Sequence, residues 1–134
     1  MKGKDKVISI LNDLLTAELT AIDVYFLYSR IFEDQGYNKI YQQLSHEMDD
    51  ERGHADLIMK RILFLEGTPN IGARLAVEAK RDIVECYEIS LKFEYMVRDS
   101  LKDAIHIAFD EDDHVTREIL EKLLVDTESD HIRW

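Results

Sequence analysis

The stretch Leu44-Ser-His-Glu-Met-Asp-Asp-Glu-Arg-Gly-His-Ala-Asp-Leu-Ile58 decides the fold, because it sets a glutamate and a histidine three residues apart within a helical apolar pattern. Residues i and i+3 share one helix face about a turn apart. Glu51 and His54 therefore lie on the same stripe as Ile40, Leu44, Glu47, Ile58, Ile62 and Leu65. An ionised group on a buried stripe costs several kcal/mol unless it is paired, bound to a cation or neutralised. The device returns near the end of the chain, where Glu128 and His131 continue a line from Thr116 and Leu120 through Leu123 or Leu124 to Trp134. Two more stripes carry one glutamate each. Val7, Leu11, Leu14, Glu18, Ala21, Tyr25 and Phe32 recur at three- and four-residue steps, as do Ile83, Tyr87, Leu91, Glu94, Val97, Leu101, Ile105 and Ala108.

These periodicities predict four helices. Helix 1 runs from about Asp5 to Asp34 and stops at Gly36, which tolerates the left-handed cap conformation. Helix 2 runs from about Asn38 to Glu66 and ends at Gly67-Thr68-Pro69. The pattern lapses from Gly67 to Arg81, a length that can span about 50 Å when extended and so return along a bundle. Helix 3 opens with the capping signature Asp82-x-x-Glu85, and the acidic run Asp110 to Asp113 offers N-cap oxygens for helix 4. Helices this long exceed the globular mean of about 11 to 12 residues, and an elongated bundle is the architecture that accommodates them. Two short connections and one long crossover make helices 2 and 3 parallel. Glu18, Glu51 and Glu94 each fall near mid-helix and so reach one level. Few residues follow Glu128, so the last helix is expected to be shortened, with a neighbouring subunit covering the inner faces it leaves open.

Composition bounds the function. At 134 residues the chain fits a single domain, residues 1–134, large enough to bury a core without staples. One proline and five glycines leave little material for turns, which agrees with an all-α chain. A formal charge of −11 disfavours nucleic acid and anionic membrane as partners and makes cations the natural guests. No apolar run approaches the roughly 20 residues of a membrane span, and Met1-Lys-Gly-Lys-Asp-Lys6 leads straight into an amphipathic pattern, so a cytoplasmic location is expected. Cys86 stands alone, which excludes an intrachain disulfide and thiolate clusters; it is expected as a small residue at a helix surface.

Spacing alone is weak. Of five histidines, three follow a glutamate by three places, and one of these, Glu111/His114, lies in the acidic turn, where solvation explains it. The other two pairs differ by lying on apolar stripes. Four carboxylates carry −4 and two Fe(II) ions carry +4, so a filled di-iron centre is formally neutral, as a low-dielectric core requires. Oxygen-rich coordination supplemented by imidazole suits iron or manganese, and zinc can enter such sites without redox chemistry.

Glu18, Glu51/His54, Glu94 and Glu128/His131, together with Met1-Lys-Gly3, Arg61-Ile-Leu-Phe-Leu-Glu-Gly67 before Pro69 and His131-Ile-Arg-Trp134, resemble the bacterioferritin family across essentially the whole chain. This is the ligand pattern of ferritin-like di-iron carboxylate bundles, so the match is a likeness and not an independent derivation. The resemblance implies a ferritin-like four-helix bundle in which Glu51 and Glu128 bridge two irons, His54 and His131 are terminal nitrogen ligands, and Glu18 and Glu94 are terminal carboxylates. It further implies a cage of 24 subunits that oxidises Fe(II) with O2 or H2O2 and stores ferric mineral. The family's haem is held by a methionine directly after the helix 2 glutamate. Arg52 stands there and Met48 is no obvious substitute, which speaks against haem b unless a mixed cage draws it from a haem-binding subunit.

Further candidates are weaker. His46 and Asp50 lie about 140° around helix 2 from Glu51 and resemble the inner-wall iron ligands of some family members; solvated surface residues are the plain alternative. Glu47 precedes Glu51 by one turn and could orient it or accept iron in transit. Tyr25 and Trp134 could hydrogen-bond a ligand or supply an electron, with core packing the plain reading. Competing functions are a rubrerythrin-like di-iron peroxidase, disfavoured because a lone Cys86 cannot build an all-cysteine iron module, and a non-catalytic metal-binding helical bundle.

Overall fold

A computed structural model describes residues 2–132, with side chains described for residues 2–129. Four helices, α1 (Asp5–Asp34), α2 (Asn38–Phe64), α3 (Ile83–Asp110) and α4 (His114–Asp126), are followed by a π-helical segment, Thr127–Ile132. No strand occurs among the described residues. The all-α bundle expected from the stripes is the fold observed.

Each of the first three helices ends in the same way. At α1, Tyr37 N donates to Phe32 O at 2.9 Å and Gly36 takes φ of 86°, the left-handed closure that glycine adopts without strain. The ends of α2 and α3 use Glu66 and Asp112 in that role, with φ of 64° and 58°. This corrects the expected end of helix 2, which stops at Phe64 rather than Glu66. Gly67 serves close packing instead. A Cβ there would lie 2.8 Å from Ile8 Cγ2, so its missing side chain lets the chain cross closely over α1.

From Leu65 to Asp82 the chain runs without helix, as expected, and side chains of α1 fasten it. Asn12 Oδ1 accepts from Asn70 N, Thr20 Oγ1 from Leu75 N and Asp23 Oδ2 from Arg74 Nε, at 2.8, 2.9 and 2.8 Å. Tyr28 Oη then donates to Glu78 O at 3.0 Å and Gln35 Nε2 to Arg81 O at 3.1 Å. The anchors climb α1 over about 35 Å at 1.5 Å per residue. Hence the crossover returns to the end where α2 began, and α3 runs parallel to α2.

Burial is arranged in layers along the axis. One apolar cluster joins Val7 to Ala17 of α1 with Ala55, Ile58, Ile62, Val97, Leu101, Ala104, Ala108, Leu120 and Leu123. A second, at the other end, joins Val24, Tyr28 and Phe32 with Cys86. Cys86 is thus buried rather than on the surface, with Sγ donating to Lys80 O at 3.2 Å. The inner line of α3 begins at Cys86 instead of Tyr87, which is 49% exposed. Between the clusters lies a polar layer built from the middles of α1, α2 and α3.

Arg61 fixes the start of α4. Buried near the end of α2, it donates from Nε to Thr116 Oγ1 at 2.9 Å and from a terminal nitrogen to Asp113 Oδ1 at 2.8 Å. Asp113 is the N-cap, accepting from Thr116 N at 3.0 Å and from Thr116 Oγ1 at 2.7 Å. Burial works to raise the Asp113 carboxyl pKa, but the Thr116 and Arg61 contacts outweigh it and hold it below the ordinary value. A depressed folded pKa adds stability that is full above the unfolded value of about 3.9 and fades as pH falls through the folded one. Replacing Arg61 by methionine is expected to cost about 3 kcal/mol near neutrality. Chemical denaturation at several pH values checks this, and the gap between parent and variant should begin to narrow as the pH falls below about 4.

Candidate metal centre

Glu18, Glu47, Glu51 and Glu94 expose 2% of their surface or less, and His54 exposes 6%. Their backbones belong to three helices, and Glu18, Glu51, His54 and Glu94 are each carried inward by a buried apolar neighbour one turn away, Leu14, Ala55, Ile58 and Val97 respectively. Glu18, Glu51 and His54 converge most closely. Each offers a ligand atom, and these atoms all lie within 4.8 Å of one another. His54 Nδ1 stands 3.2 Å from Glu18 Oε2 and 3.5 Å from Glu51 Oε2. Three different donors at this spacing can close on one cation with small side-chain shifts, and the oxygen-rich, imidazole-containing set suits iron or manganese.

The electrostatics agree. Burial would lower the His54 pKa, yet the hydrogen bonds and charges of Glu18 and Glu51 overcome it and raise it to about 11. The same two carboxylates that hold this proton would hold a metal, so the two compete. Glu94 extends the layer from α3. Tyr25 Oη donates to its Oε1 at 2.6 Å, and burial followed by the charges of Glu94 and Glu51 pushes the phenol well above its usual range. Glu47 accepts from Gln43 Nε2 at 3.0 Å, and its charge also reaches Tyr25.

Beside Tyr25 and Glu94 opens an apolar cleft of about 250 Å³, walled by Leu44, Cys86, Tyr87 and Leu91 among others. It lies between α1, α2 and the first half of α3.

Other sequence candidates fall elsewhere. Glu128 is exposed in the π-helical segment, and the inward place expected of it is taken by Thr127, which is 1% exposed. Thr127 follows Leu123 by four residues and so continues the buried line Thr116, Leu120, Leu123, which leaves Glu128 one residue past it. The side chain of His131 and the whole of Trp134 lie outside the described residues. His46, exposed, and Asp50, half-buried, form an ion pair at 3.5 Å away from the three converging ligands, and Arg52 is exposed beside Asp49 at 3.9 Å. Asp126, which no stripe marked, places Oδ2 3.6 Å from His54 Nε2. No motif in the sequence signals it.

Residues 8–134 match the family model described as a ferritin-like domain. The chain belongs to the ferritin-like family. It is 42% identical over 134 residues to the bacterial ferritin of Neisseria meningitidis, an alignment covering 100% of this chain and 86% of that protein. The bacterial ferritin of Pseudomonas aeruginosa is 44% identical over the same share of both chains. The bacterioferritin of Mycolicibacterium paratuberculosis is 36% identical over 100% of this chain and 84% of its own. These similarities, which cover the whole of this chain, agree with its ferritin-like bundle.

Removing the Tyr25 hydroxyl deletes a donor from a buried carboxylate. Tyr25→Phe is expected to destabilise the metal-free ferritin-like fold by about 1–3 kcal/mol. Thermal unfolding monitored by circular dichroism checks the loss, and an unchanged midpoint would contradict it.

Proposed function

We propose that this chain is an iron-storage subunit with ferroxidase activity, oxidising Fe(II) to Fe(III) with O2 or H2O2 at an intra-subunit di-iron centre. The observation carrying this reading is the convergence of Glu18, Glu51 and His54 within 4.8 Å inside a ferritin-like bundle, with Glu94 buried in the same layer. Two Fe(II) ions release two electrons, which with two protons convert O2 to H2O2 or H2O2 to two waters. The protein fixes ligand geometry and leaves room for the oxidant.

In this proposal Glu51 and Glu128 would be the carboxylates shared between the metals, His54 and His131 would supply nitrogen, and Glu18 and Glu94 would complete the carboxylate set. Glu128, exposed in the structure, would have to turn inward to take that role. The bland counterpart, a non-catalytic bundle, gives no reason to gather four glutamates beside one imidazole. Subunits assemble into a 24-subunit cage, alone or mixed with a haem-binding subunit, and the ferric product is stored inside it. The protein acts in the cytoplasm, in keeping with the absence among the described residues of any helix long and apolar enough to cross a membrane.

Glu51→Ala and Glu128→Ala are expected to abolish the fast phase of Fe(II) oxidation, a loss of roughly 100-fold or more for a bridging ligand, by analogy with removal of a key catalytic group. Stopped-flow absorbance after mixing with O2 measures it. An unchanged fast phase in either variant would defeat the bridging assignment, and a solution mass near that of a dimer would defeat the cage.

A further inference from the structure

The apolar cleft of about 250 Å³ plays no part in gathering the ligands, yet it ends against the layer that holds them. Half-buried Ile40 and Leu44 of α2 face it together with half-buried Leu91 of α3, and buried Tyr28 and Phe32 of α1 line it as well. Tyr25 and Glu94 line it from the buried layer, hydrogen-bonded to each other at 2.6 Å. Leu91 precedes Glu94 by one turn of α3, so a guest lodged on Leu91 is a short step from the carboxylates.

The chemistry of these walls selects the guest. Apolar recesses hold water poorly and admit apolar molecules. O2 has no hydrogen bonds to water to give up, whereas H2O2 carries two hydroxyl groups, each of which loses free energy on leaving water for surroundings without partners. We infer that the cleft is the route by which O2 reaches the proposed di-iron centre, so that O2 rather than H2O2 is the oxidant this chain favours. The inference rests on the ferroxidase reading and adds to it a choice between the two oxidants, made by Ile40, Leu44 and Leu91. A hydrated Fe(II) ion gains nothing from the same walls, so the cleft discriminates against the cation too.

Two measurements on the full chain test it. In metal-free protein with labelled methyl groups, O2 dissolved under pressure should enhance nuclear relaxation at Ile40, Leu44 and Leu91 more than at exposed Ile71. Leu91→Trp, or Ser90→Phe as a second way of filling the cleft, should abolish that excess at Ile40 and Leu44. In stopped-flow mixing, the ratio of O2-driven to H2O2-driven Fe(II) oxidation rates should fall about 10-fold or more in the filled variants, the preference that desolvation of H2O2 imposes. Anaerobic Fe(II) binding should keep the parent's stoichiometry. Thermal midpoints identify a variant that folds poorly, and the relaxation data on the parent stand whatever the variants do. Absence of Fe(II) binding by the parent would sink the di-iron reading and this inference with it. With binding intact, relaxation at the three cleft residues no greater than at Ile71, or an unchanged rate ratio in a folded filled variant, overturns the inference and leaves the centre standing.

Discussion

Four glutamates and one imidazole are held within an oily bundle, and most of the remaining architecture serves to keep them there. A carboxylate removed from water costs several kcal/mol even after relaxation, so a layer of them is tolerable only where protons or cations balance the charge. His54 supplies one positive charge when protonated, and Tyr25 supplies a hydrogen bond. Neither offsets four anions. The apolar clusters above and below the layer contribute burial that offsets its cost.

The helices contribute unequally. α1 and α2 form a close hairpin through the turn at Gly36, and Glu18, Glu51 and His54 all come from it. α3 adds Glu94 from the second hairpin, and Tyr25 ties it back to α1. α4 is placed by the contact of Arg61 with its N-cap and by Leu120 and Leu123, which join the larger apolar cluster.

Sequence alone revealed the first hairpin almost completely, because every position read as inward on α1 is buried and the stripe of α2 from Glu47 to Leu65 is as well. The physical reason is that two long helices packed on each other keep a steady 3.6-residue period. On α3 the reading slipped by one residue, from Cys86 to Tyr87: both border the apolar cleft, but the small thiol is buried while the larger ring reaches solvent. On α4 the slip from Thr127 to Glu128 arises because Leu123 and Leu124 both fit the pattern: Leu123 is the buried one, and Thr127 is its neighbour one turn on. Asp126, polar and half-buried at the end of α4, carries no apolar signal of its own.

The crossover between α2 and α3 has a consequence beyond connecting them. Four side chains of α1, at positions 12, 20, 23 and 28, and that of Gln35 just past its end grip it along its length. Sliding the second hairpin along the first by a single turn, about 5.4 Å, would break these attachments together, so the axial alignment of Glu18 with Glu94 is set by a ribbon of chain that touches neither.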